Sequence, residues 1–397
     1  MTSERLESPL LAALRSWPIL AGCGAGLICG LGAWLDPGGF YPAYLIGYLF
    51  WLGISLGSLA IAMLHHLTGG GWGVPIRRIL ESAYGNLLLL AVLFVPVALG
   101  APSLYIWARP EAVARDEHLQ WKVEEYLNLP FWQTRAAVYF AIWVVLAAVL
   151  SRWSAREASA RQRRAERRLI RLSGAGLVLW GLTVTFASVD WVMSLEPHWF
   201  SSMFGVLFMG AQGVSALSLA ILAAIALRHE PPWASSLTES RLGDLASLLL
   251  AFVMFWSYVS FMQFLIIWSG NLPEEAPWYL KRNQGGWDYV AGLLATLHFV
   301  VPFLLLLQRQ VKRDPQRLVW VAGLLLVMRL IDLSWLVLPT FSPGRLWLNP
   351  WLLVTPLAVG GFWLTSFAWQ LASRAAIPVY DPSLAKETLD GHSAPAA

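Results

Sequence analysis

Charge is what this chain has least of. Only 13% of its 397 residues are Asp, Glu, Lys or Arg, against roughly 25% in soluble domains. A soluble catalytic domain is therefore excluded as the main architecture. Cysteine is scarce as well: Cys23 and Cys29 are the whole complement, both inside the first apolar run. A disulfide framework is excluded, and so is a thiolate iron–sulfur or zinc site built from this chain alone. The two read as small packing residues. No Cys-x-x-Cys-His haem-attachment motif occurs. Of the seven histidines only His298 falls near the middle of an apolar run, so the facing histidines of a bis-histidine haem are missing.

What the chain does have is apolar length. Hydrophobic residues make up 57%, there are 23 tryptophans, and mean hydropathy is +0.57. A helix needs roughly 20 mostly apolar residues to cross a bilayer core of about 30 Å. Ten stretches qualify: 17–35, 42–66, 76–100, 132–150, 172–194, 200–227, 242–269, 287–308, 317–338 and 349–372. Backbone polar groups in lipid must be satisfied internally, so these are helices. The expectation is an all-α, polytopic integral membrane protein of about ten spans. It has a short N-terminus (1–16), a transmembrane domain (17–375) and a loose tail (376–397). The first stretch runs into Asp36-Pro37 without a small-x-small site, so it reads as a span and not a cleaved leader.

Placement of the arginines sets the orientation. The link between spans four and five, RWSAREASARQRRAERRLIR, holds eight arginines from Arg152 to Arg171. By the positive-inside rule it is cytoplasmic, and alternation then puts both termini inside. That arrangement gives 20 Lys/Arg inside and six outside, with Arg135 and Arg329 within spans. The basic loop suits anionic lipid headgroups or a cytoplasmic partner; nucleic acid is not expected. The longest outer connection, 101–131, is amphipathic, with Trp107, Trp121 and Tyr126. It fits either the membrane surface or an outer partner.

Ionisable groups inside spans cost on the order of 2.5–3.5 kcal/mol on insertion scales, so each needs a reason. They fall in two layers. On the inner side, HHLTGGGWGVPIRRILES joins spans two and three: His65 and His66 close one span, and Glu81 lies about 8 Å into the next. Asp244 enters span seven at the same level. The glycines permit a tight reversal that brings the histidines to Glu81, a proton entry in which imidazole titrates near neutrality. An internal ion pair of Glu81 with Arg77 or Arg78 accounts for the same residues. The outer layer holds Asp190, Glu196, Tyr258 and Gln263, with Arg329 and Asp332 spaced i,i+3 in span nine. That last pair reads as mutual neutralisation or as the lining of a polar path. His298 in span eight is a relay member or a hydrogen-bonded core residue.

Four segments in this order, HHLTGGGWGVPIRRILES, SVDWVMSLEPHWFSSMFGV, FVMFWSYVSFMQFLIIWSGNLPEEAPWY and VMRLIDLSWLVLP, carry a family resemblance. The chain resembles the smaller NrfD/polysulfide-reductase-like membrane subunit (ActF) of bacterial alternative complex III, over roughly residues 40–375. The resemblance implies ten spans with two four-helix bundles and flanking helices, in a bacterial inner (cytoplasmic) membrane. It implies a cofactor-free subunit of a quinol:cytochrome c oxidoreductase in respiratory electron transport, with quinone or quinol the one small molecule in view. Implied partners are a larger NrfD-like quinol-binding subunit, an iron–sulfur protein and c-type cytochrome subunits. Carried over by motif, His65, His66, Glu81, Asp244 and His298 are candidates for a proton path. Asp190, Glu196, Tyr258, Gln263, Arg329 and Asp332 are candidates for an outer polar layer or quinone pocket. Quinol oxidation needs proton acceptors at the hydroxyls, and the outer layer offers carboxylates but no in-span histidine at that depth. Proton transfer or support of quinol oxidation is thus expected here before catalysis. The competing expectations are a membrane anchor of another NrfD-type oxidoreductase and a stand-alone secondary transporter. Against a transporter, Pro302 and Pro356 form no matched pair of broken helices.

Overall fold

The computed structural model describes residues 9–157, 162–230, 233–347 and 349–373. Residues 158–161 of the arginine-rich link, 231–232, 348, the first eight residues and the tail from 374, including His392, lie outside the described residues. The protein is an all-α, multi-pass membrane protein, with no strand among the described residues. Ten helices are long and apolar enough to cross a bilayer: Leu11–Leu35, Pro37–Thr68, Arg77–Leu99, Leu129–Ser154, Arg167–Leu195, Phe204–Ala226, Glu239–Gly270, Trp287–Leu307, Pro315–Thr340 and Trp351–Ser373. They are spans one to ten below. The face bearing the span four–five link is called the basic face and the other the opposite face.

Capping chemistry explains where the spans begin and turn. Asp36 caps span two, its Oδ1 accepting from Gly39 N at 3.0 Å, with Pro37 pre-set for the first turn. Asp314 and Pro315 do the same for span nine, and Thr238 caps span seven. Between spans two and three the chain reverses through Gly69 and Gly70, at φ 65° and 94°, which a side chain would oppose. Span eight contains a π-helical stretch, Leu294–Val300, immediately before Pro302. Proline has no N–H to give the carbonyl four residues back, here that of His298, and its ring crowds that carbonyl. The widened turn relieves both problems.

Spans two to five close into one four-helix bundle and spans six to nine into another. The bundles meet along spans two, five, six and nine, and span ten, with span one on its outer side, packs against spans two and three. Small residues set the closest approaches, as expected where no hydrophobic force drives helices together in lipid. A Cβ at Gly57 of span two would lie 2.1 Å from the Gln212 carbonyl oxygen of span six. Span two is thus the buried spine of the molecule, while spans one and eight are largely lipid-facing.

Candidate functional site

The buried ionisable groups are gathered into four clusters, each assembled by several spans.

At the basic face the glycine reversal does bring span three back against span two. His65 Nε2 lies 3.1 Å from the Gly70 carbonyl, and its ring meets Trp72 edge-on at 4.9 Å. His66 Nδ1 pairs with Ser173 Oγ of span five at 3.0 Å. Glu81 is 1% exposed and held by Arg77, Arg78 and Ser154 of span four. The ion-pair expectation describes Glu81 in this structure; the pairing of His66 is with a serine on another helix. Asp244 stays exposed on span seven and does not join this cluster.

In the first bundle Asp190 is fully buried. Arg135 of span four grips it bidentately, Nε to Oδ2 at 2.9 Å and Nη2 to Oδ1 at 2.8 Å. Tyr139 donates to Oδ2 at 2.8 Å. The guanidinium is flanked by the rings of Tyr126 and Phe131, 3.8 and 4.4 Å from their centroids, and its Nη1 donates to the Tyr126 carbonyl. An in-span arginine demands a buried counter-charge, so Arg135 was the sequence signal for this pairing. Tyr139 carried none.

In the second bundle Arg329 and Asp332 form a buried ion pair within span nine. His298 of span eight is 0% exposed, and neither ring nitrogen has a hydrogen-bond partner. It stacks on Trp256 of span seven at 4.1 Å between centroids. Trp256 Nε1 lies beside the Asp332 carboxylate, outside full hydrogen-bond geometry. His298 lies within electrostatic reach of Arg329.

The fourth cluster lies at the opposite face, between the bundles. Glu196, just past span five, accepts from Lys281 Nζ at 2.7 Å, Arg282 Nη1 at 3.0 Å and Thr340 Oγ1 at 3.0 Å. Burial raises its pKa, but the Arg282 charge and the Lys281 and Arg282 bonds outweigh that, holding it below the usual carboxylate value. Arg282 is 2% exposed, stacks on Trp278 at 3.5 Å and donates to the Trp335 and Leu336 carbonyls at the end of span nine. Burial brings its pKa down to about 10, so it stays cationic at neutral pH. Gln263 of span seven accepts from Ser201 and donates to Tyr279 beside this network. Lys281 and Arg282 end the short helix Ala276–Arg282 between spans seven and eight and gave no sequence signal for their role. A cleft of about 660 Å3 opens next to the cluster, lined among others by Arg109, His118, Glu196, His198, Glu274 and Lys281.

The outer layer expected from sequence is therefore three separate places, not one pocket. Asp190 belongs to the first bundle, Arg329 and Asp332 to the second, and Glu196 and Gln263 to the seam between them. Tyr258 joins none of these: it is 59% exposed on the outward side of span seven. Two residues along a helix turn the side chain by about 200°, so with Tyr258 outward it is Trp256, 6% exposed, that points inward. Among the described residues no group of three His, Cys, Asp or Glu is placed to hold a metal ion. No protein-family model matches the chain, and no curated protein matches it.

Proposed function

We propose that the chain is a membrane subunit of a quinol-oxidising respiratory complex of the alternative complex III type, supporting quinol oxidation and conducting protons. The observation that carries this reading is where the four resembling segments lie. Together they supply Glu81, Asp190, Glu196, Trp256, Gln263, Arg329 and Asp332. Three of the segments also touch one another across helices: Ser201 donates to Gln263, Trp199 stacks on Trp278, and Trp278 meets Trp335 edge-on. Segments that serve only as lipid anchors have no need of such contacts. Buried ionisable groups inside membranes mark proton and ion routes by default. In this reading Glu81 with the histidines lies toward the cytoplasm, and Asp332, Arg329 and His298 continue the route through the second bundle. The membrane is the bacterial cytoplasmic membrane, both termini face the cytoplasm, and the partners are a larger NrfD-like subunit, an iron–sulfur protein and c-type cytochromes.

The test is affinity purification from native membranes in mild detergent, followed by visible spectra and peptide mass spectrometry. Reducible c-type haem bands with iron–sulfur and larger NrfD-like partners are expected. A haem-free chain without partners overturns the proposal and brings the transporter alternative forward.

A further inference from the structure

Where spans two, five, six and nine meet, the seam between the bundles encloses a cavity of about 20 Å3. Its lining includes Gly53, Ser188, Trp191, Phe208, Gln212 and Arg329. One water needs a cavity of roughly 10–15 Å3 or more and two to four polar partners. The size admits a single water and nothing larger. Polar partners are at hand. Gln212 is 5% exposed, and its Oε1 has no hydrogen bond. Trp191 Nε1 is buried without an acceptor. Arg329 gives Nη1 to Asp332, which leaves further donors of a guanidinium that has five N–H bonds. Ser188 donates to the Thr185 carbonyl, so its hydroxyl oxygen still offers lone pairs.

We infer that this cavity is a built site for one bound water that joins Arg329 of the second bundle to Gln212 across the seam. The Arg329 charge is already matched by Asp332 one turn away, so the site as a whole is neutral and takes water in preference to an ion. A guanidinium N–H donates to the water, and the water donates to Gln212 Oε1. The inference does not rest on the respiratory reading.

The glycines of span two provide the test. A Cβ at Gly53 meets only Gln212 Cγ, at 3.6 Å, an ordinary contact. Gly53→Ala therefore fits without strain while placing a methyl group in the cavity. At Gly57, one turn on, the same methyl would strike the Gln212 carbonyl. The full-length protein in nanodiscs is exposed to a synchrotron X-ray pulse, which ionises bound water where it sits, and oxidised residues are mapped by mass spectrometry. Leu52 and Phe208, both buried and lining the cavity, are expected to be oxidised by X-rays but not by hydroxyl radicals generated in bulk solvent. In Gly53→Ala that X-ray oxidation falls to background while the protein stays folded. Gln212→Leu, which removes the amide, lowers it as well and serves as the readout if the alanine variant folds poorly. Wild-type protein unmodified at both positions overturns the site, as does modification unchanged in a folded variant.

Discussion

The two bundles bury the same kind of charge pair and treat it in opposite ways. In the first, Asp190 receives two bonds from Arg135 and one from Tyr139, and Arg135 is enclosed between aromatic rings. The pair bridges spans four and five, so its geometry depends on the bundle being closed. In the second, Arg329 and Asp332 are on one helix, and beside them both ring nitrogens of His298 lack a partner. A buried pair that is saturated by charged and phenolic partners resists any change of charge. A pair surrounded by unmet hydrogen-bonding capacity can accept a water or a proton at small structural cost. The first cluster thus reads as a clasp between helices, and the second as the one that holds an unpartnered titratable side chain, His298.

The sharpest way to break this comparison is to remove one partner from the clasp. Asp190→Asn leaves Arg135 buried without its counter-charge, and breaking a buried pair in this way costs roughly 3–5 kcal/mol. The variant is expected to lose monodispersity in detergent and to show a markedly lower unfolding temperature. If Asp190→Asn were as stable as wild type, the clasp assignment would fail. Asp332→Asn also leaves a buried guanidinium without its counter-charge, but the pair is local to one helix, so helix packing is retained at a lowered unfolding temperature. If the proposed function holds, proton-coupled quinol turnover of the assembled complex falls by roughly 100-fold, the scale of a lost acid–base group. Stability loss without a turnover effect would make this pair structural too.

His298 sharpens the contrast further, because here the expected sign of the stability change is positive. Each unmet buried polar group costs about 1–3 kcal/mol, and an apolar group of similar shape escapes that cost. His298→Leu is therefore expected to raise the unfolding temperature, equivalent to about 1–2 kcal/mol, while lowering proton-coupled turnover. A destabilised His298→Leu protein would show that the imidazole is hydrogen-bonded after all, and the second bundle would lose its distinction from the first.

Much of this was legible in the sequence because bilayer thickness and the cost of burying charge are strong constraints. Ten apolar runs fix ten spans, and an arginine at position 135 inside one of them requires a carboxylate nearby. Helical spacing alone identified Arg329 with Asp332. What was not legible is rotation about each helix axis. Span seven is polar and aromatic on several sides, so the choice of Trp256 over Tyr258 as the inward residue depends on how spans six and eight pack, which no period in the sequence states. Nor could spacing reveal that His66 finds Ser173 more than a hundred positions away, or that Arg282, at the end of a short helix between spans, is buried at the opposite face. The π-helical turn at His298 was half legible: Pro302 announces a disturbance but not its form.

The seam cluster gives the smallest effects and separates its two cations. Glu196 has its pKa held below the ordinary value of 4.5, so the native state binds fewer protons than the unfolded chain just below that pH. Its stabilising contribution is therefore complete above pH 4.5 and is lost as pH falls through the lowered value. An acid titration of unfolding temperature is expected to show this limb in wild type and a flatter one in Glu196→Gln. Lys281 is 43% exposed at the side chain and Arg282 only 1%. Solvent screens the lysine, so Lys281→Ala should cost only about 0.2–1 kcal/mol and shrink the acid limb in part, since its bond to Glu196 helps to hold that pKa down. Arg282 also ties down the Trp335 and Leu336 carbonyls, so Arg282→Met should remove the limb together with the anchoring of span nine. Equal effects of the two substitutions would mean that Glu196 responds to net charge at this face, and that the buried guanidinium does not position span nine against the first bundle.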